Sequence, residues 1–235
     1  MTTAKTPGRL LAAGRDADIF EYGPGLVLRR SRAGRSMAAE ARIMEYVRAR
    51  GYPAPAVDEL SDDGLDLVME RIEGVDMVAT MSKRPWTIGR QGRVLAQLHD
   101  RLHALEAPDW LRDAPVGTGD RVLHLDLHPL NVIVGPHGPV VIDWTNASTG
   151  DPAVDVALTW VLMAAGSVST KGLISLLLGR ARAALVRSFL RSSDVETARR
   201  LLRDVVGWKV TDPHMSAEEQ EQMWRVVEEQ ESPSA

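Results

Sequence analysis

The 235-residue chain predicts an α+β architecture in two lobes, a small antiparallel sheet followed by a mainly helical part. Three observations carry that prediction. Up to Glu70, short apolar runs alternate with turns built from Gly, Asp and Pro. Beyond Thr87 the apolar spacing lengthens to that of amphipathic helices. Between Arg121 and Ile142 a second group of short strands interrupts the helices and carries the densest polar cluster in the chain.

Each element follows from local pattern. Leu10–Ala13, Ile19–Glu21 and Leu26–Arg29 are separated by Gly14-Arg15-Asp16 and Gly23-Pro24-Gly25, which suits a three-strand meander. From Ser36 to Arg50, Met37, Ala41, Met44 and Val47 form a helical stripe that Gly51 and Pro53 end. Asp58–Leu60 and Leu65–Glu70 flank the turn Asp62-Asp63-Gly64. Five strands and one inserted helix make a first lobe over residues 1–73, with Ile72-Glu73-Gly74 as its exit into a second lobe over 74–235. There, Thr87 to His103 places Val94, Leu95, Leu98 and Leu102 on one helical side. A loop from Ala107 to Asp120 leads to strands at Arg121–Leu125, Asn131–Val134 and Val140–Ile142. After Pro152 the pattern is helical; Ser193…Glu196 and Ser216…Glu219 have capping-box spacing, and Glu231–Ala235 is expected to fray.

Composition excludes several functions. The net charge of −4 argues against a nucleic-acid partner, and the absence of cysteine removes disulfides, thiolate catalysis and cysteine-ligated zinc. The N-terminal segment lacks the apolar core of a secretory signal, and the longest apolar stretch, Val156 to Val168, is too short to span a bilayer. The expectation is a cytoplasmic protein without membrane contact. No G-x-x-x-x-G-K-[ST], G-x-S-x-G or H-E-x-x-H occurs, and Gly117-Thr118-Gly119 lacks the third glycine of a dinucleotide fingerprint.

The chemistry concentrates in His124-Leu-Asp126-Leu-His128-Pro-Leu-Asn131 and Val141-Ile142-Asp143-Trp144. Apolar strands are normally buried, and an ionised group beside them needs compensation. A divalent cation supplies it: magnesium prefers one or two protein oxygens and completes its shell with phosphate and water. Asn131 and Asp143 fit that demand if their strands pair across Gly135-Pro-His-Gly138. Asp126, five residues before Asn131, is placed to accept the proton of an attacking hydroxyl. The H-x-D-x-x-x-x-N…D order is that of a phosphoryl-transfer catalytic loop. The bland alternative is a polar loop with capping aspartates.

On these residues the chain resembles the aminoglycoside phosphotransferase and choline kinase group, small-molecule kinases with a protein-kinase-like fold. His124 to Val134 matches the catalytic loop, Ile142-Asp143-Trp144 the metal segment, and Gly150-Asp151-Pro152-Ala-Val-Asp155-Val-Ala157 the G-D-P-x-x-D-x-A element. The resemblance runs from about Leu10 to Ala165. It implies Asp126 as base, Asn131 and Asp143 as magnesium ligands, ATP as donor and a small-molecule hydroxyl as acceptor.

The resemblance also implies supporting roles. Arg29, where protein kinases carry Lys, would hold nucleotide phosphates with Glu40 from the next helix; the alternative is an ordinary surface pair. Met69, Glu70 and Ile72 correspond to the hinge that binds adenine, or to a plain linker. Val27, Ile133 and Ile142 would wall the base or serve only as core. Asp155 would brace the catalytic loop or cap its own helix, and His124 is expected packed and hydrogen-bonded in support of that loop. His99 and His103, four apart on a helix, lack a third metal ligand in the sequence and are expected at an interface or in the core. The acidic residues Glu218, Glu219, Glu221, Glu228 and Glu229 suit either a cationic acceptor or a solvated helix face. Rival readings are a catalytically silent nucleotide-binding regulatory module and a protein kinase. Against the latter stand the short segment between Asp143 and Asp151 and the missing A-P-E motif.

Overall fold

The computed structural model describes residues 7–14, 16–165, 173–213 and 215–232. Arg15 of the first expected turn, the end of the apolar stretch at 166–168 and the last three residues of the expected tail lie outside them. The strands are β1 (Leu10–Ala13), β2 (Ala17–Glu21), β3 (Leu26–Ser31), β4 (Val57–Leu60), β5 (Asp66–Glu70), β6 (Val75–Asp76), β7 (Arg121–Leu123), β8 (Val132–Gly135), β9 (Gly138–Val141) and β10 (Ser148–Gly150). The helices are α1 (Ala38–Arg48), α2 (Met77–Lys83), α3 (Ile88–His103), α4 (Pro152–Ala165), α5 (Leu173–Leu190), α6 (Val195–Lys209) and α7 (Ala217–Glu231). The chain forms two compact units: residues 1–75 with 132–145, and residues 76–131 with 146–235.

In the first unit β1 to β5 form an antiparallel sheet in the order β1-β2-β3-β5-β4. Alternation along β3 turns Arg29 inward, whereas Arg30 projects outward into a bidentate pair with Asp66 (2.7 and 2.6 Å). Helix α1 buries Ala41, Met44 and Val47 of the stripe visible in the sequence, with Met37 buried just before it, and adds Ile43 and Glu40. The β8–β9 hairpin turns across Gly135 and Gly138. Sequence reading assigned this hairpin to the second lobe, but its contacts hold it with the first unit. Val141 N–H donates to the Pro53 carbonyl (2.8 Å), and buried Trp144 meets Tyr52 edge-on. Backbone also runs close beside it: a Cβ on Gly135 would lie 2.3 Å from the Glu73 carbonyl oxygen, and one on Gly74 2.5 Å from that of Val134.

In the second unit α4 is buried on nearly every face and packs against α5, α6 and α7, with Phe189, Leu202, Val205, Val206, Val226 and Val227 in its core. Gly92 lets α3 approach α5, since a Cβ there would meet Ser188 Cβ at 2.7 Å. No helix among the described residues is long and apolar enough to cross a membrane.

Several boundaries move. Strand β7 ends at Leu123, Asn131 sits in a 3-10 turn (Pro129–Asn131) instead of a strand, and Ile142 and Asp143 follow β9 instead of ending it. The short β6, β10 and α2 had no signal in the apolar spacing. Ser193 does not cap α6: Asp194 does, accepting from Thr197 N–H at 3.2 Å, because an aspartate one residue nearer the helix fills the cap. Ser216 and Glu219 do form a capping box. Helix α7 continues to Glu231, one residue into the expected tail, and its other glutamates at 218, 221, 228 and 229 lie on its exposed face.

Candidate active site

Within the second unit, β7 delivers the chain into the loop that carries Asp126. The loop closes on itself. The Asp126 carbonyl accepts from His128 N–H and from Asn131 Nδ2 (both 2.9 Å), and Asn131 Nδ2 also donates to Asp126 Oδ2 at 2.9 Å. The Asn131 amide nitrogen is therefore committed to Asp126, and its Oδ1 is the atom left for a ligand. His128 Nδ1 accepts from Leu130 N–H at 3.3 Å, and its Nε2 stands 3.5 Å from Asp126 Oδ1. The Asp126 side chain is 22% exposed: held, yet reachable.

From α4, Asp155 is fully buried and receives His124 N–H on Oδ2 (2.9 Å) and Leu125 N–H on Oδ1 (2.8 Å). Its own helix is capped instead by Asp151, whose Oδ1 accepts from Ala153 N–H at 2.9 Å. His124 is completely buried. His103 Nε2 lies 3.1 Å from Asp155 Oδ2, and His99 Nδ1 lies 4.0 Å from the same oxygen. The third group missing from the sequence spacing is therefore Asp155, although its oxygens are already engaged by main-chain N–H groups.

Two non-glycine residues among those described have positive φ: Leu125 (55°) and Asp143 (65°). Asp tolerates the left-handed region; a buried leucine does so at a cost of about 1–3 kcal/mol. One precedes the candidate base and the other is a candidate metal ligand.

Within the first unit Arg29 is a hub. Its Nη2 reaches Asp143 Oδ1 (3.1 Å), Thr145 Oγ1 (3.0 Å) and Glu40 Oε2 (3.5 Å). Thr145, which sequence reading missed, also touches Glu40 (3.2 Å) and Asp143 (3.0 Å); only its position two residues after Asp143 could have flagged it. Burial pushes the Glu40 carboxyl upward against the pull of Arg29. For Arg29, burial works against the charged form, but Glu40 and Asp143 outweigh it and raise its pKa. A buried cation facing two carboxylates is the local charge balance.

Of the residues expected around the nucleotide, Val27 is buried, while Met69, Glu70, Ile72, Ile133 and Ile142 are partly exposed. Glu70 turns its side chain to Ala56 N–H (3.0 Å) and Arg48 (3.4 Å), so only its main chain could serve as a hinge. The N–H groups of Glu70 and Arg71 are taken by the Ala56 and Gly25 carbonyls, which leaves Ile72 N–H unengaged among the described residues.

The buried histidine makes a prediction for stability. Burial above all, with Asp155 opposing, lowers the His99 pKa to about 3. The unfolded chain takes up that proton near the ordinary value of about 6.5. The stabilisation is thus complete above about pH 6.5 and is lost as pH falls toward 3, at roughly 1.4 kcal/mol per pH unit from this group. Urea melts between pH 7 and pH 4 are expected to show this decline, with a shallower slope in His99→Gln. An unchanged slope would assign the acid lability elsewhere.

The sequence matches the phosphotransferase enzyme family (APH) over residues 8–118 and 103–201. No curated protein matches the chain by sequence. Among solved structures, a choline/ethanolamine kinase family protein from Mesorhizobium loti is similar at 16% identity and a TM-score of 0.63, covering 98% of this chain and 90% of that one. A thermostable mutant of aminoglycoside phosphotransferase APH(4)-Ia, in ternary complex with AMP-PNP and hygromycin B, matches at 14% identity and 0.58, covering 96% and 94%. An amicoumacin kinase in complex with AMP-PNP and Ca2+ matches at 11% and 0.54, covering 94% and 87%. With the family matched across residues 8–201 and the fold shared with these kinases, the chain belongs to the phosphotransferase enzyme family and has its two-lobed, kinase-like α+β fold.

Proposed function

We propose that the protein transfers the γ-phosphoryl of magnesium-bound ATP to a hydroxyl of a small molecule. The observation that carries this reading is the Asp126–Asn131 loop, in which a partly exposed carboxylate is fixed through its main chain and Oδ2 while Oδ1 faces His128. Asp126 Oδ1 takes the proton as the acceptor oxygen forms its bond to phosphorus, and the bond from phosphorus to the β-phosphate oxygen breaks. ADP leaves with that electron pair. Asp126 also aims the hydroxyl, which lowers the entropic cost of the in-line approach.

The donor set suits magnesium, since Asn131 Oδ1 and the Asp143 carboxylate are hard oxygen ligands. When bound, the ion supplies counter-charge to the phosphate oxygens. Arg29, held by Glu40, is the protein's own cation for the phosphates. Met69, Glu70 and Ile72 are the proposed hinge, with Val27, Ile133 and Ile142 as apolar walls for the base. The structures solved with AMP-PNP, and one of them with Ca2+, support nucleotide and divalent-cation use in this fold.

The test is a panel of hydroxylated acceptors, aminosugars and amino alcohols among them, incubated with γ-labelled ATP and magnesium. Label transferred to an acceptor hydroxyl is the expected result. Tight nucleotide binding with no transfer to any acceptor would replace this reading with a silent nucleotide-binding module.

A further inference from the structure

Helices α3 and α4 each place two polar residues one turn apart in otherwise apolar surroundings: His99 and His103 on α3, Asp155 and Thr159 on α4. Their side chains converge on the main chain at both sides of Asp126. On the upstream side Asp155 accepts from His124 N–H and Leu125 N–H, and His103 Nε2 stands 3.1 Å from its Oδ2. On the downstream side Thr159 Oγ1 donates to the Leu127 carbonyl at 2.8 Å, and His99 Nε2 lies 3.3 Å from the same oxygen and 3.2 Å from Thr159 Oγ1. Asp155, Thr159 and His99 are each no more than 1% exposed. Burying three polar side chains in this way, with His103 partly buried beside them, is costly unless they find hydrogen-bond partners.

We infer that Thr159, His99 and His103 are positioning residues for the base, a two-sided clamp that holds the backbone of residues 124–127 and so fixes where the Asp126 carboxylate points. This deepens the proposed function and rests on Asp126 as its base. The strained leucine supports it. Leu125, with φ of 55°, has no glycine freedom, so its conformation is kept from outside, and Asp155 grips its N–H while Thr159 and His99 grip the carbonyl two residues on. Release of either grip lets the loop relax toward ordinary backbone angles and swings the carboxylate away from the acceptor. A displacement of about 1 Å is enough to cost about 100-fold in rate.

The experiment pairs deletions with conservative replacements. Thr159→Val keeps shape and removes the hydroxyl, whereas Thr159→Ser restores it. His103→Leu removes the contact to Asp155, whereas His103→Gln keeps an N–H donor at a similar reach. Amide hydrogen exchange over residues 123–128 is measured for each full-length variant, alongside kcat and nucleotide KM. The clamp predicts faster exchange confined to that loop in Thr159→Val and His103→Leu, with near wild-type exchange in Thr159→Ser and His103→Gln. It also predicts kcat reduced by about 10- to 100-fold with nucleotide KM within about twofold, recovering in the conservative variants. Unaltered loop exchange overturns the clamp, as does a loss shared equally between kcat and KM or a serine variant that fails to recover. Should the wild type show no transfer, the assignment of Asp126 as base falls, and the exchange data still decide whether the clamp exists.

Discussion

Turnover by Asp126→Asn is expected to fall by about 10² to 10⁴ against the best acceptor, the range that a positioned general base contributes. The amide keeps the size of the carboxylate and an oxygen for Asn131 Nδ2, so the loop closure at 2.9 Å has what it needs to persist. Nucleotide affinity is expected to stay within about threefold, because the proposed role of the residue is on the acceptor hydroxyl and the loss then belongs to the transition state. Steady-state kinetics with calorimetric nucleotide titration check both halves. A variant that binds magnesium-ATP and keeps most of the wild-type rate would remove Asp126 from the role of base.

Asp143→Asn is expected to weaken magnesium-ATP binding by about 100-fold, and excess EDTA to weaken wild-type binding to a similar degree, because the phosphates lose their divalent counter-charge in both cases. Asparagine is chosen because, like aspartate, it tolerates the left-handed backbone at φ 65°, so the change tests charge and not strain. Arg29 keeps Glu40 and Thr145 as partners in the variant. EDTA added to Asp143→Asn should cost little further affinity. Calorimetry showing equal ATP affinity with and without metal would sink the metal assignment.

The legible part of this protein was whatever leaves a pattern in neighbouring residues. Alternation and turn glycines located the five-strand sheet, and period marked the stripes of α1 and α3. The identities and spacing of His124, Asp126, Asn131 and Asp143 single out a candidate site from sequence alone. What stayed hidden depends on distant residues meeting. Thr145 is an unremarkable threonine until the fold brings Arg29 and Glu40 against it. Sequence spacing gives His99 and His103 no third group, since Asp155 lies 52 residues beyond His103. Strand ends were misplaced at the proposed metal ligands: Asn131 and Asp143 occupy a tight turn and a left-handed residue, conformations selected by tertiary contacts and not by local propensity.

Helix α4, buried on nearly all its faces, bears on how such an enzyme diversifies. Asp155 and Thr159 are one turn apart and address the loop that carries Asp126. Trp160 and Ala164, rotated away by the helical repeat, floor a cleft of about 540 Å³ with Val186 and Leu190 of α5, Val195 of α6 and Val226 of α7. Substitutions in α6 and α7 therefore reach the Asp126 loop through α4, a rod whose close packing resists displacement, whereas α5 also touches α3, where Phe189 meets the His99 ring. Changes in α6 and α7 are expected to alter the lining of the cleft while leaving the Asp126 loop in place.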